Sequence, residues 1–393
     1  MSSRIRLCLA LFWEMFKISL FVIGGGYSIL AVADTVFSKK KKWIEEGELL
    51  ENLPVFQMVP GIIAGSTAIY VGRKIAGITG AASALVGVVL PSVIVFSVVS
   101  VCYALIPLGN EVLSSAFLGL RAALTGIIGA MIVKSWRKSL VSLQSVAMML
   151  AALYAIGFEK YNPAFVIIVM AIAGIVVKIK KQAAVNKSNS RSMFSSLWLM
   201  PLIFLKYGLI SFGGGYVLVP VYINDFVGEA ARFLQLNANE FADVMALTQI
   251  TPGPTAVNCA TFFGYRLSLA EFGSVAAALP CAIIATLCLL LPGSILLYLA
   301  LESIDRFKTN KYVVGALEGI KPATIAMMLN ALWAFALTSV FNKSELGLGF
   351  SNINWAGAAI AFMAAAAIGK FNVGAVAVIL ASTIISMALC FLM

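Results

Sequence analysis

The stretch Thr248–Asn258 reads T-Q-I-T-P-G-P-T-A-V-N and lies inside a long apolar region. Two prolines and a glycine stop any helix there. Proline lacks the N–H and clashes with the preceding turn, and the residue before it is pushed out of the helical region. A fresh helix can begin near Thr255 and run to Gly264. Its first N–H groups have no partner within the helix, and the helix dipole adds partial positive charge at that end. At membrane depth such a break persists only where protein buries it or a watery cavity borders it. The device occurs twice. Gln57, Pro60, Gly61 and Gly72 stand in register with Gln249, Pro252, Gly253 and Gly264, and upstream Glu48 and Glu51 match Glu240 and Asp243. A chain carrying two copies of one interrupted apolar segment reads as a duplicated membrane protein.

Composition supports that class. Of 393 residues 61% are hydrophobic and only 11% charged, with a mean hydropathy of +0.98. Many apolar runs exceed the eighteen or so residues that a spanning helix needs. The net charge of +11 invites a nucleic-acid partner. The basic residues sit mostly in short loops between apolar runs, where they orient a membrane protein, so no nucleic acid is expected. The lysines Lys39–Lys42 read as an orienting loop beside anionic lipid. There is no histidine, which removes histidine metal sites and histidine proton relays. The six cysteines form no C-x-x-C and read as packing residues. Neither metal nor cofactor is expected. The amino terminus mimics a signal peptide, with Arg4, Arg6, an apolar run and Ala31-Val32-Ala33. No cleavage is expected, because the run carries Glu14 and Lys17 and its Phe16–Tyr27 segment recurs inside the chain.

The repeat sets the organisation: a first membrane repeat over 1–178, a basic polar linker over 179–196 and a second repeat over 197–393. Lys17 and Gly24-Gly25-Gly26-Tyr27 pair with Lys206 and Gly213-Gly214-Gly215-Tyr216. Gly119-Leu120-Arg121-Ala122-Ala123 pairs with Gly319-Ile320-Lys321-Pro322-Ala323, and Lys160-Tyr161-Asn162 with Lys370-Phe371-Asn372. Each half holds six apolar segments. If the broken segments re-enter rather than span, each half has five spans, the two halves are inverted, and about ten helices cross the membrane. That arrangement divides loop lysine and arginine more unevenly than one in which every segment spans. A parallel arrangement, with both the glycine-rich and the broken segments re-entrant, does as well. Inverted repeats with broken helices are a recurrent transporter plan, and an all-α polytopic fold of that kind is the expectation.

Phe212-Gly213-Gly214-Gly215-Tyr216, then Thr251-Pro252-Gly253-Pro254, then Phe263-Gly264-Tyr265-Arg266 resemble the prokaryotic chromate ion transporter family in its long, two-domain form. The resemblance covers nearly the whole chain. It implies chromate export across the cytoplasmic (inner) membrane of a prokaryote by a multi-pass protein, proton exchange, and halves of opposite orientation. The first half departs from the motif, with Pro60-Gly61-Ile62-Ile63 where the second has Pro252-Gly253-Pro254-Thr255.

The residues themselves point to a negative substrate. The N–H groups after Pro60 and Pro252 suit an oxyanion, with Gln57 and Gln249 beside them and Thr251, Pro254, Thr255 and Asn258 completing the second break. Ser66 and Thr67 are the nearest polar equivalents in the first. The glycine triplets allow close approach of an ion or a helix, and Tyr27 and Tyr216 offer hydroxyls; helix packing by small residues is the plainer explanation. Lys17, Lys206, Arg121 and Lys321 are cations within apolar runs. Each costs about 2.5–3.5 kcal/mol at mid-bilayer unless it snorkels to headgroups, and together they suit a dianion. Glu14, Glu318 and Asp34 are the carboxylates available to protons. A dianion leaving a cell with a negative interior gains about 2.3 kcal/mol per charge per 100 mV. The expected activity is secondary active export of chromate or a related oxyanion by alternating access. Sulfate transport and a passive anion channel are the alternatives. Protons, the lipid bilayer and a second copy in a homodimer are the expected partners. A membrane enzyme acting on a phosphorylated lipid is disfavoured, since no histidine base or D-x-x-D cluster stands in an apolar run.

Overall fold

The computed structural model describes residues 3–22, 26–104, 111–140, 142–157, 159, 161–179, 196–211, 215–228, 231, 233–301, 311–341, 353–371 and 373–392. The fold is all-α, as expected. Among the described residues, extended pairing is limited to one isolated bridge, Val227 with Leu236. The first half contains α1 (Ser3–Phe21), α2 (Gly26–Asp34) running into a π-turn (Thr35–Lys40), α3 (Glu48–Glu51), α4 (Leu53–Met58), α5 (Ile63–Ala104), α6 (Glu111–Ser139), α7 (Leu143–Gly157) and α8 (Pro163–Ile179). The second contains α9 (Ser196–Ile210), a 3-10 turn (Gly215–Leu218), α10 (Val219–Phe226), α11 (Ala238–Ile250), α12 (Thr255–Phe272), α13 (Val275–Ala300), α14 (Lys311–Ser339), α15 (Trp355–Gly369) and α16 (Ala375–Leu392).

Element by element the halves correspond. The first apolar run is two helices rather than one, because glycine costs a helix about 1 kcal/mol per residue and three stand in a row. α5 is likewise two arms: Ala76 and Gly77 leave helical geometry, Gly77 at φ +65°. The arms fold back on each other, so a Cβ on Gly72 would strike the backbone of Gly80 and Ala81. In the second half the same hairpin is α12 and α13, joined at Gly273 (φ +62°) and packed through Gly264 against Ala282 and Ala285. Among the described residues four helices, α5, α6, α13 and α14, are long and apolar enough to cross a membrane by themselves, and five shorter apolar helices accompany them.

Packing divides the helices across the repeats. α1 lies along α5 and α9 along α13, and α5 also meets α12 and α13. α6, α7, α8, α14, α15 and α16 form a second bundle in which the halves exchange partners: α6 packs on α15 and α16, while α14 packs on α7 and α8. Small residues make these crossings close, where helix backbones rather than long side chains supply the contact. Gly119 meets Ser382, Thr383 and Ser386 of α16, and its repeat partner Gly319 meets Met170 and Gly174 of α8. The exchange is therefore itself repeated. α6 and α14 cross each other at the centre.

Candidate functional site

Both breaks are built from the same parts. After Pro60-Gly61 the chain turns into α5, and after Pro252-Gly253-Pro254 into α12. Gly61 has φ +141° and Gly253 φ +92°, conformations that side chains rarely tolerate. The last glycine of each triplet lies against the new helix start. A Cβ on Gly26 would sit 3.1 Å from Ile63 Cβ and 3.2 Å from Ala64 N, and one on Gly215 3.0 Å from Ala256 N. The glycine-rich and broken motifs, over thirty residues apart in sequence, thus meet at a helix N-terminus in each half. Gly24, Gly25, Gly213, Gly214 and the Tyr216 side chain lie outside the described residues.

Each break is seated on the long helix of the other half. Gly61 rests on the backbone of Gly293 in α13, and Gly253 on Ser92 in α5. Each of these contacts directly follows a proline, Pro292 or Pro91. The Gly61 N–H donates to Ser211 O at the end of α9 (2.7 Å). Gly253 lies near Ser19 of α1, whose hydroxyl donates to Val88 O (2.6 Å). The flanking segments 61–69 and 253–265 are buried throughout, so the breaks are enclosed in protein rather than turned to lipid.

Polar groups collect here. Gln57 Nε2 donates to Tyr27 OH (2.9 Å). Asn258 Nδ2 donates to Thr251 Oγ1 (2.9 Å), and Gln249 Nε2 reaches Thr255 Oγ1 (3.5 Å). Against this background, Ser92 Oγ, Ser211 Oγ and Asn258 Oδ1, like Tyr222 OH in the aromatic core, are buried without a hydrogen-bond partner among the described residues. Buried polar atoms of that kind are uncommon and point to something that completes them. Asn258 is one of the residues the sequence singles out. Ser92, Ser211 and Ser19 are not; the signal is the matched prolines Pro91 and Pro292, which mark the turns of the long helices facing the breaks.

Two of the embedded cations, Arg121 and Lys17, are engaged by carboxylates. Arg121 holds Asp243 through two hydrogen bonds, Nε to Oδ1 and Nη2 to Oδ2 (2.9 Å), and Tyr103 OH reaches the same carboxylate (3.5 Å). Asp243 stands about two helical turns before Thr251. Lys17 pairs with Glu14 (2.9 Å), which Lys41 also binds (3.0 Å). Lys206 is half-buried on α9, and Lys321 and Glu318 are exposed. Asp34 is buried and accepts the Leu49 N–H (3.2 Å). Two further ion pairs obey the repeat: Glu48 with Lys74 and Glu240 with Arg266, each at 2.5 Å. Tyr70 OH also donates to Glu48 (2.6 Å). Among the described residues no three His, Cys, Asp or Glu side chains are grouped as metal ligands.

The chromate transporter family model matches residues 9–175 and again 198–387. The chain belongs to that family. Two consecutive matches of one model account for the two corresponding sets of helices. Family membership makes the chain a multi-pass membrane protein that moves ions, and not an enzyme. A chromate transport protein of Cupriavidus metallidurans is 27% identical over 341 residues, covering 81% of this chain and 80% of that one. A probable chromate transport protein of Synechococcus elongatus is 24% identical, covering 85% and 86%. An uncharacterized transporter of Methanocaldococcus jannaschii is 25% identical, covering 84% of each. No solved structure matches the chain.

Proposed function

We propose that this transporter exports chromate or a related tetrahedral oxyanion across the cytoplasmic membrane by alternating access of two inverted halves, with proton exchange. The observation that carries the reading is the pair of buried helix starts with an unpartnered serine hydroxyl on a residue that contacts each: Ser92 against Gly253, and Ser211, whose backbone oxygen takes the Gly61 N–H. Amide N–H groups and hydroxyls are donors, and donors converging on a helix N-terminus favour an anion. The nearby carboxylates Glu48, Glu240 and Asp243 are already matched by cations, which leaves the breaks free of opposing charge. The names of the Cupriavidus and Synechococcus relatives support chromate as the anion. The first arm of α5, residues 63–75, rises only about 20 Å, short of the roughly 30 Å hydrocarbon core. That length suits a re-entrant half-helix beginning inside the membrane. The membrane potential favours export of a dianion. Asp34, buried and without an ion pair among the described residues, is the carboxylate best placed to carry a proton.

Purified protein in liposomes tests this. Chromate flux under an imposed voltage and pH gradient is expected, saturable and able to exchange against anion on the far side. Ser92→Ala and Ser211→Ala each remove a donor to a charged ligand, worth about 1.5–3 kcal/mol, so KM rises roughly tenfold or more while the protein remains folded. Absence of chromate, sulfate or related flux under any gradient overturns the reading. Non-saturating flux makes the chain a channel, and stronger competition by sulfate reassigns the anion.

A further inference from the structure

The repeat places an acid and a cation in matched positions twice. Asp243 precedes Gln249 by the same spacing as Glu51 precedes Gln57, and Arg121 matches Lys321. The structure treats the two sets differently. Arg121 and Asp243 form a bidentate pair, with side chains 15% and 3% exposed. Glu51 and Lys321 are both exposed and make no ion pair among the described residues. The helices follow the same pattern. α11, which carries Asp243, packs against α6, α14 and α16. α3 and α4, which carry and follow Glu51, pack on α2 and α5. One side of the exchanged bundle is thus latched to the broken-helix core, and its repeat-related side stands open.

We infer that Glu51 and Lys321 are the second of two alternating latches: the transporter passes to a state in which Glu51–Lys321 closes and Arg121–Asp243 opens. The inference rests on the alternating-access reading above. Two repeats related by a pseudo-twofold axis have two equivalent ways to seat one bundle on the other, and a single chain occupies one at a time. Opposite charge at the open positions is what the second seating requires. The exchange also explains how Arg121, tied up here, becomes available to a passing anion when Asp243 releases it. Moving between two such seatings needs only a modest difference in free energy, because each latch lost is replaced by another.

Charge exchange at the open latch is the test, and both residues are exposed, so folding is not at stake. Glu51→Lys and Lys321→Glu each put like charges face to face in the second state, which disfavours it; chromate exchange in liposomes is expected to fall about tenfold or more. The double variant E51K/K321E restores the attraction and should recover most of the lost rate. A double variant no faster than either single, or singles that transport at the parent rate, overturns the proposal. Cross-linking separates it from the choice of substrate. In a chain with its native cysteines replaced, Glu51→Cys with Lys321→Cys should form a disulfide in membranes that locks transport, reversibly on reduction. If that disulfide forms while neither the reduced protein nor the parent chain moves any anion, the latch stands and the substrate reading falls. If anion moves while the disulfide never forms, the latch falls alone.

Discussion

At Gly61 the opposite long helix presents bare backbone at Gly293, whereas at Gly253 it presents the hydroxyl of Ser92. After Gly61 come Ile62, Ile63 and Ser66; after Gly253 come Pro254, Thr255 and Asn258. The buried Asp243 is bound by Arg121, while its counterpart Glu51 is exposed. The backbone plan is shared and the polar equipment is concentrated at the second break. Duplication preserves what the fold needs from both copies: a glycine of positive φ, a close crossing and an acid matched to a cation behind it. It leaves the side chains around the breaks free to diverge.

The strongest way to break that comparison is at the two glycines. Gly253→Ala forces an L-residue into a left-handed conformation, costing roughly 1–2 kcal/mol, and drives its Cβ into Ser92. Gly61→Ala meets the Gly293 backbone instead. Both are expected to abolish or nearly abolish transport. Adding Ser92→Gly should recover part of the activity of Gly253→Ala, because a side chain is the obstacle there; no substitution at Gly293 can rescue Gly61→Ala. Equal rescue at both sites, read as flux, would show that the breaks are packed alike after all.

Next in size is the latch. Arg121→Ala leaves Asp243 as an uncompensated buried charge, expected to cost about 3–5 kcal/mol. Lys321→Ala removes an exposed, unlatched cation, and its effect should stay within about 0.5 kcal/mol. Thermal unfolding in detergent compares the two, and similar losses would contradict the open latch. The smallest contrast is between the repeated ion pairs. Glu48 serves both Lys74 and Tyr70, whereas Glu240 serves Arg266. Glu48→Gln is therefore expected to lower the unfolding temperature more than Glu240→Gln, each by the effect of about 1 kcal/mol common for partly exposed pairs.

Much of this was legible in the chain. Helix breakers inside apolar runs mark Pro60-Gly61 and Pro252-Gly253 without coordinates, because proline and glycine act locally. The repeat register even placed Glu48, Glu51, Glu240 and Asp243. What stayed hidden is who faces whom. Arg121 and Asp243 are each visible as buried charges, but their pairing depends on α11 meeting α6. Lys17 stands three residues from Glu14, a spacing that puts both on one helix face, so the sequence offers a local partner as well as an anion. Ser92 carries no signal of its own, since its repeat partner is a glycine and serine is unremarkable in an apolar helix.

The partner exchange between α6 with α15 and α16, and α14 with α7 and α8, has a bearing on biogenesis. When the ribosome has finished the first half, the small-residue faces of α6 have nothing to receive, because their mates are not yet translated. α7 and α8 wait in the same way for α14. Maturation must therefore be a late, concerted closure rather than the docking of two finished bodies. Two separately synthesised halves would have to find each other while still incomplete, each acting as the other's scaffold.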